Sequence, residues 1–129
     1  ARKFGIKMYP FHPRLEELMS AADLVISMGG YNTICEILTQ RTPALIIPRE
    51  TPRKEQMIRA RRLKEQGLLD FIAWREVTPQ LLRDRIFSLL NTQHQYTETI
   101  TAFELTGLDT MLARLTHFKE DKKSARQAQ

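Results

Sequence analysis

The sequence has one cysteine, Cys35, in 129 residues. A lone thiol excludes an internal disulfide and points to a reducing compartment. Its spacing to other residues matches neither a metal site nor a cysteine–histidine nucleophile, so it reads as a small apolar group in the core. No apolar run approaches the roughly 18–20 residues that span a membrane. The start, Ala1-Arg2-Lys3-Phe4, lacks the apolar stretch of a secretion signal. It also lacks a methionine and leads almost directly into a strand-like segment, so the chain reads as part of a longer protein. There is no internal repeat and no low-complexity linker. Aromatic residues make up 8% of the chain, and the single tryptophan, Trp74, is expected to pack at a sheet edge.

What is present fits one compact domain. The apolar fraction of 42% is that of a globular chain, and the length suffices for a real core. The net charge is +5. Residues 49–64 carry seven cations (Arg49, Arg53, Lys54, Arg59, Arg61, Arg62 and Lys64) against Glu50 and Glu55, which equals the whole excess. Such a patch attracts anions. No aromatic residue interleaves with it, so single-stranded nucleic acid is not the expected partner. Arg61, Arg62 and Lys64 fit a solvated helix face equally well, and contact of this helix with a membrane surface stays open.

Hydrophobic spacing predicts an alternation of strands and helices. Strands are expected at residues 4–9, 24–27, 44–47 and 68–73. Helices are expected from His12-Pro13 to Ser20, over 31–40, over 53–66 and from Thr78-Pro79 to Leu90. Ile34, Ile37 and Leu38 form one buried stripe, and Met57, Ala60 and Leu63 form another. Gly67 sits where a helix C-terminus calls for glycine. The runs at 24–27 and 44–47 read as strands buried on both faces. The expected fold is therefore α/β: three layers, α/β/α, around a Rossmann-like parallel sheet. Residues 1–92 form the binding domain. Residues 93–129 form a helical extension, with a stripe of Phe103, Leu108, Met111, Leu112, Leu115 and Phe118, and a frayed tail.

One stretch carries chemistry. Leu24-Val25-Ile26-Ser27 runs into Met28-Gly29-Gly30, and a helix opens at Tyr31-Asn32-Thr33. Glycines permit a sharp turn and close approach of a ligand. The first turn of a helix leaves N–H groups unpaired, with about half a positive charge at that end. This combination binds phosphate or diphosphate. Glu36 lies three and four positions beyond Thr33 and Asn32, on the same helix face, where it can hold a sugar hydroxyl. His12 reads as a helix-entry residue rather than a catalytic base, and His94 and His117 as surface residues.

Asp23-Leu-Val-Ile-Ser-Met-Gly-Gly-Tyr-Asn-Thr-Ile-Cys-Glu36, then Pro43-Ala-Leu-Ile-Ile-Pro48, then Glu55-Gln56 resemble the C-terminal, donor-binding half of GT-B glycosyltransferases. The likeness is to family 28, whose best-known member adds GlcNAc to a lipid-linked muramyl peptide. It covers residues 4 to 90, with three blocks in order. The resemblance implies that Gly29, Gly30, Tyr31, Asn32 and Thr33 meet the diphosphate and that Glu36 holds the ribose. It implies that Phe11 and His12 flank the uracil and that Glu55 and Gln56 hold the donor sugar. Glu55 stands where the peptidoglycan enzymes carry an amide, and Arg49-Glu50-Thr51-Pro52-Arg53 departs from their loop.

The implied reaction moves a GlcNAc-type hexose from a UDP-sugar to an acceptor hydroxyl, in the cytoplasm, with no metal and no cofactor. The acceptor domain and the general base would lie in a missing N-terminal half, so the chain alone is expected to be inactive. Two alternatives share the scaffold. One is a UDP-sugar 2-epimerase, and the other is a non-enzymatic nucleotide-binding or nucleic-acid-binding module that uses the basic helix.

Overall fold

The computed structural model describes residues 2–51, 54–106 and 110. Arg53, Gly107, His117, the tail and the stripe positions Leu108 to Phe118 lie outside these residues. The ordered elements are α1 (Leu15–Ala21), β1 (Val25–Ser27), α2 (Tyr31–Thr39), β2 (Ala44–Ile46), α3 (Glu55–Glu65), β3 (Asp70–Phe71), α4 (Pro79–Asn91) and α5 (Gln93–Thr106). Among the described residues the sheet has three parallel strands in the order β1-β2-β3.

The central strand explains the layering. Side chains alternate across a strand, so Ala44 and Ile46 face one core and Leu45 the other. The first core takes Met19 from α1, Ile34, Ile37 and Leu38 from α2, Ala60 and Leu63 from α3, and Ile100 from α5. The second takes Leu89 of α4, with Leu81, Leu82, Ile86 and Tyr96 against it. Helices thus cover both faces, as the α/β alternation predicts. Both crossover helices, α2 and α3, lie on one face, as crossovers of one hand must when successive strands add in one direction.

Several expectations change. Residues 4–9 do not form a strand. A short 3-10 turn, Arg2–Phe4, is followed by irregular chain in which Phe4, Ile6, Met8 and Tyr9 are exposed. A strand exists by pairing, and this segment pairs with no other among the described residues. β1 is not buried on both faces: it is the sheet edge, and Ile26 is 47% exposed. The expected strand at 68–73 narrows to the two residues of β3. α1 starts at Leu15, after a turn at Pro13 and Arg14, and α3 at Glu55. Trp74 is 69% exposed, on a short turn after β3. The polar stretch from Gln93 to Thr101 is helical, and its Ile100 is fully buried. Phe103 packs on the first core, and Cys35 is half-buried.

Candidate functional site

The site forms where β1 ends. Ser27 closes the strand, Met28 to Gly30 turn the chain, and α2 begins at Tyr31. Gly29 adopts φ +76, the left-handed region. A Cβ there would meet Ile46 Cγ2 at 2.7 Å, so the turn lies flat on β2. Gly29 is also held from both sides. Its N–H donates to Ser27 Oγ at 3.1 Å, and its carbonyl accepts from Arg59 Nη1 at 3.0 Å.

Gly30 is the N-cap of α2, with no side-chain cap. Its carbonyl accepts from the Ile34 N–H at 2.9 Å, the first intrahelical bond. Preceding amides have no such acceptor, by the geometry of any helix start. A Cβ on Gly30 would have nothing within 4 Å. The positive end of α2 therefore has no side-chain cap from Gly30, and the space above Gly30 is open. Asn32 is exposed and Thr33 half-buried beside it, and Glu36 is exposed one turn further on.

α3 borders the same turn. Gln56 is half-buried and its Oε1 accepts from the Arg49 N–H at 2.9 Å, so this amide braces the loop after β2. Glu55 is exposed at the helix start. Arg59, one turn on, reaches the Gly29 carbonyl, and its Cζ lies 5.6 Å from the Tyr31 ring centroid. Burial pushes the Arg59 pKa down, opposed by Glu55, Cys35 and Tyr31. It keeps its charge at neutral pH, as arginine does in proteins. Arg59 Nε is buried with no hydrogen-bond partner, as is Glu50 Oε1 on the loop after β2. The other oxygen of Glu50 pairs with Arg75 Nη2 at 3.1 Å.

The structure therefore gathers the glycine turn, Tyr31 and the start of α3 into one locus. Phe11 and His12 belong to the irregular chain before α1. Phe11 is 79% exposed. His12 is bonded within its own segment, where Nδ1 accepts from the Arg14 N–H at 3.2 Å and the ring meets Tyr9 edge-on. Among the described residues no hydrogen bond joins either to the turn. An open groove of about 270 Å³ runs between α1 and the β1 edge to Thr33, lined by Leu15, Leu18, Ile26 and Ser27. A hollow of about 280 Å³ at the other end of α2, lined by Glu16, Glu17 and Gln40, is acidic, so it is unsuited to an anion.

Two further residues belong to this locus outside the expected site residues, Ser27 and Arg59. For Arg59 a signal existed. It lies three positions after Gln56 and one before buried Ala60, on the inward face of α3, unlike exposed Arg61 and Arg62. Among the described residues there is no cluster of three or more His, Cys, Asp or Glu side chains that could hold a metal ion. Nor is any helix there long and apolar enough to cross a membrane.

A parallel α/β sheet with an uncapped helix N-terminus behind a glycine turn defines a class of phosphate-binding domains. Residues 2–115 match the glycosyltransferase family 28 C-terminal domain, and the chain belongs to that family. Similar proteins include UDP-N-acetylglucosamine--N-acetylmuramyl-(pentapeptide) pyrophosphoryl-undecaprenol N-acetylglucosamine transferases. That of Clostridium kluyveri is 33% identical over 90 residues, covering 68% of this chain and 26% of the relative. That of Shouchella clausii is 32% identical over 104 residues, covering 78% of this chain and 29% of the relative. The chain thus spans just over a quarter of these relatives. The glycotransferase of kitacinnamycin shares the fold, with a TM-score of 0.64 at 22% identity over 84% of this chain and 26% of that one.

Proposed function

We propose that this domain holds the nucleoside diphosphate of a UDP-sugar, with a GlcNAc-type hexose, for transfer to an acceptor hydroxyl. One observation carries the reading: the uncapped N-terminus of α2 behind the Gly29–Gly30 turn. In it, Gly29, Gly30, Tyr31, Asn32 and Thr33 form the diphosphate cradle. Glu36 accepts from the ribose hydroxyls. Phe11 and His12 flank the uracil, and Glu55 and Gln56 meet the sugar. Gln56 does so through its Nε2 donors, since its oxygen is engaged by Arg49.

The chemistry follows from charge. The bond from the anomeric carbon to the diphosphate oxygen breaks, and its electron pair leaves on the diphosphate. Positive charge develops on the sugar as the acceptor oxygen closes on that carbon. Fixed amides at a helix start stabilise the departing charge without reorganising. The acceptor proton goes to a general base, which we assign to the acceptor-binding part of a longer protein. This chain alone therefore binds donor and transfers nothing. The lone thiol and the nucleotide donor both fit a cytoplasmic setting. A lipid-diphosphate acceptor, of the kind named in the relatives, would bring the reaction to a membrane surface.

A thermal-shift panel tests the reading. UDP and UDP-GlcNAc at a hundredfold excess over Kd should stabilise the chain by about 2.7 kcal/mol, a rise of roughly 10 °C for a domain of this size. GDP and dTDP should shift it less. Glu36→Ala should lose most of the uridine-nucleotide shift. No response to any nucleotide, or an equal response to all of them, would refute the assignment.

A further inference from the structure

We propose that Arg59 is a positioning residue for the diphosphate: it sets the plane of the Gly29–Gly30 peptide and so aims the Gly30 N–H at the ligand. The inference rests on the nucleoside-diphosphate reading above. It concerns a residue outside the glycine motif, thirty positions further along the chain.

The geometry has three parts. First, a peptide unit is planar and trans, so its C=O and N–H point in opposite directions. Arg59 Nη1 holds the Gly29 carbonyl toward α3 at 3.0 Å. The Gly30 N–H on the same peptide then points away from α3, as an added donor beside the first-turn amides of α2. Second, the other side of Gly29 is fixed by Ser27 Oγ at 3.1 Å. The Arg59 contact therefore completes a two-point clamp on the one residue whose left-handed φ makes the turn. Third, the guanidinium lies over the Tyr31 ring at 5.6 Å, which ties α3 to the first residue of α2.

The energetics argue for function over packing. Half-burying a cation is costly, and a buried N–H with no acceptor adds to the cost. Arg59 Nε is such a group. An apolar side chain at this inward position of α3 would avoid both costs and pack on the same core. What the arginine adds is a fixed carbonyl and a positive charge beside the α2 N-terminus, and both favour a bound dianion over a neutral ligand.

The test compares UDP with uridine, which lacks phosphate, by calorimetric titration of the 129-residue chain. In the wild type UDP should bind more tightly than uridine. Arg59→Met should weaken UDP at least tenfold and leave uridine within twofold. Arg59→Lys keeps a charge but loses the planar fork, and should weaken UDP several-fold with uridine unchanged. In amide NMR spectra, UDP should move the Gly30 signal strongly in the wild type and weakly in either variant. If both variants bind UDP as the parent does, or if UDP and uridine weaken together, Arg59 has no such role while the nucleotide reading stands. If Arg59→Met does not fold, Arg59→Lys alone decides by the same ratio. If the wild type binds neither UDP nor uridine, the nucleotide reading fails and this inference with it.

Discussion

Gly29 and Gly30 are neighbours in sequence with different physical duties. Gly29 has a left-handed φ, and its missing Cβ leaves room for Ile46. Gly29→Ala should therefore destabilise the fold by about 2–5 kcal/mol, the sum of backbone strain and overpacking, read as a lower urea midpoint. Gly30 has ordinary φ and empty space where a Cβ would go. Gly30→Ala should leave stability within about 0.5 kcal/mol yet weaken UDP binding, because the methyl group stands in the anion's approach. A Gly30→Ala chain that binds UDP normally would place the ligand elsewhere. The pair was legible in the sequence because glycines between a strand and a helix are distinctive. The division between them was not, because it depends on Ile46, seventeen positions away on the next strand. For Arg59 only the inward position on α3 was legible; its acceptor is a backbone carbonyl, which leaves no trace in side-chain pattern.

At the scale of elements, boundaries were readable where capping chemistry marks them. The Thr78 side chain accepts from the Leu81 N–H at 3.1 Å, with Pro79 opening α4. Thr78→Ala should cost about 1 kcal/mol, seen as a lower thermal midpoint. α3 ends with Gly67 N–H on the Lys64 carbonyl and Leu68 N–H on the Leu63 carbonyl, the paired bonds of a Schellman ending. α2 ends in the same way, through Arg41 and Thr42 on Leu38 and Ile37, but with Arg41 in the left-handed position. The first ending was predicted from its glycine, and the second carries no such mark. Gly67→Ala meets no atom closer than 3.5 Å, so its cost is backbone strain alone, about 1–2 kcal/mol. A helical stripe becomes legible only from Ala102, because the start of α5 is nearly all polar. Tyr96 and Ile100, four apart, are the residues that tie that start to the two cores.

At the scale of the whole molecule, the three-layer plan was legible because strand and helix periods differ and the apolar runs keep them in order. The tie between the layers was not. Asp70, at the start of β3, is buried and accepts from Lys64 Nζ of α3 at 2.7 Å and from Arg85 Nη1 of α4 at 2.6 Å. Its two partners come from helices on opposite faces of the sheet. Burial pushes the Asp70 pKa up. The hydrogen bonds from Lys64, Arg85 and the Phe71 N–H, with the charge of Lys64, outweigh it and hold the carboxyl below its ordinary value. A carboxyl with a depressed native pKa binds its proton less readily when folded. Its contribution is complete above the unfolded pKa, near 4, and is lost as pH falls through the lower folded value. Thermal midpoints should therefore fall steeply from pH 4 downward. Asp70→Asn should lower stability at pH 7 by about 2 kcal/mol. That is less than for a fully buried pair, because Lys64 and Arg85 are half-exposed and can turn to water. The variant should also show a shallower acid limb, since the titrating group is gone. An Asp70→Asn chain that loses stability below pH 4 as steeply as the parent would show that other carboxylates set acid stability, and that this three-residue bridge does not hold the layers together.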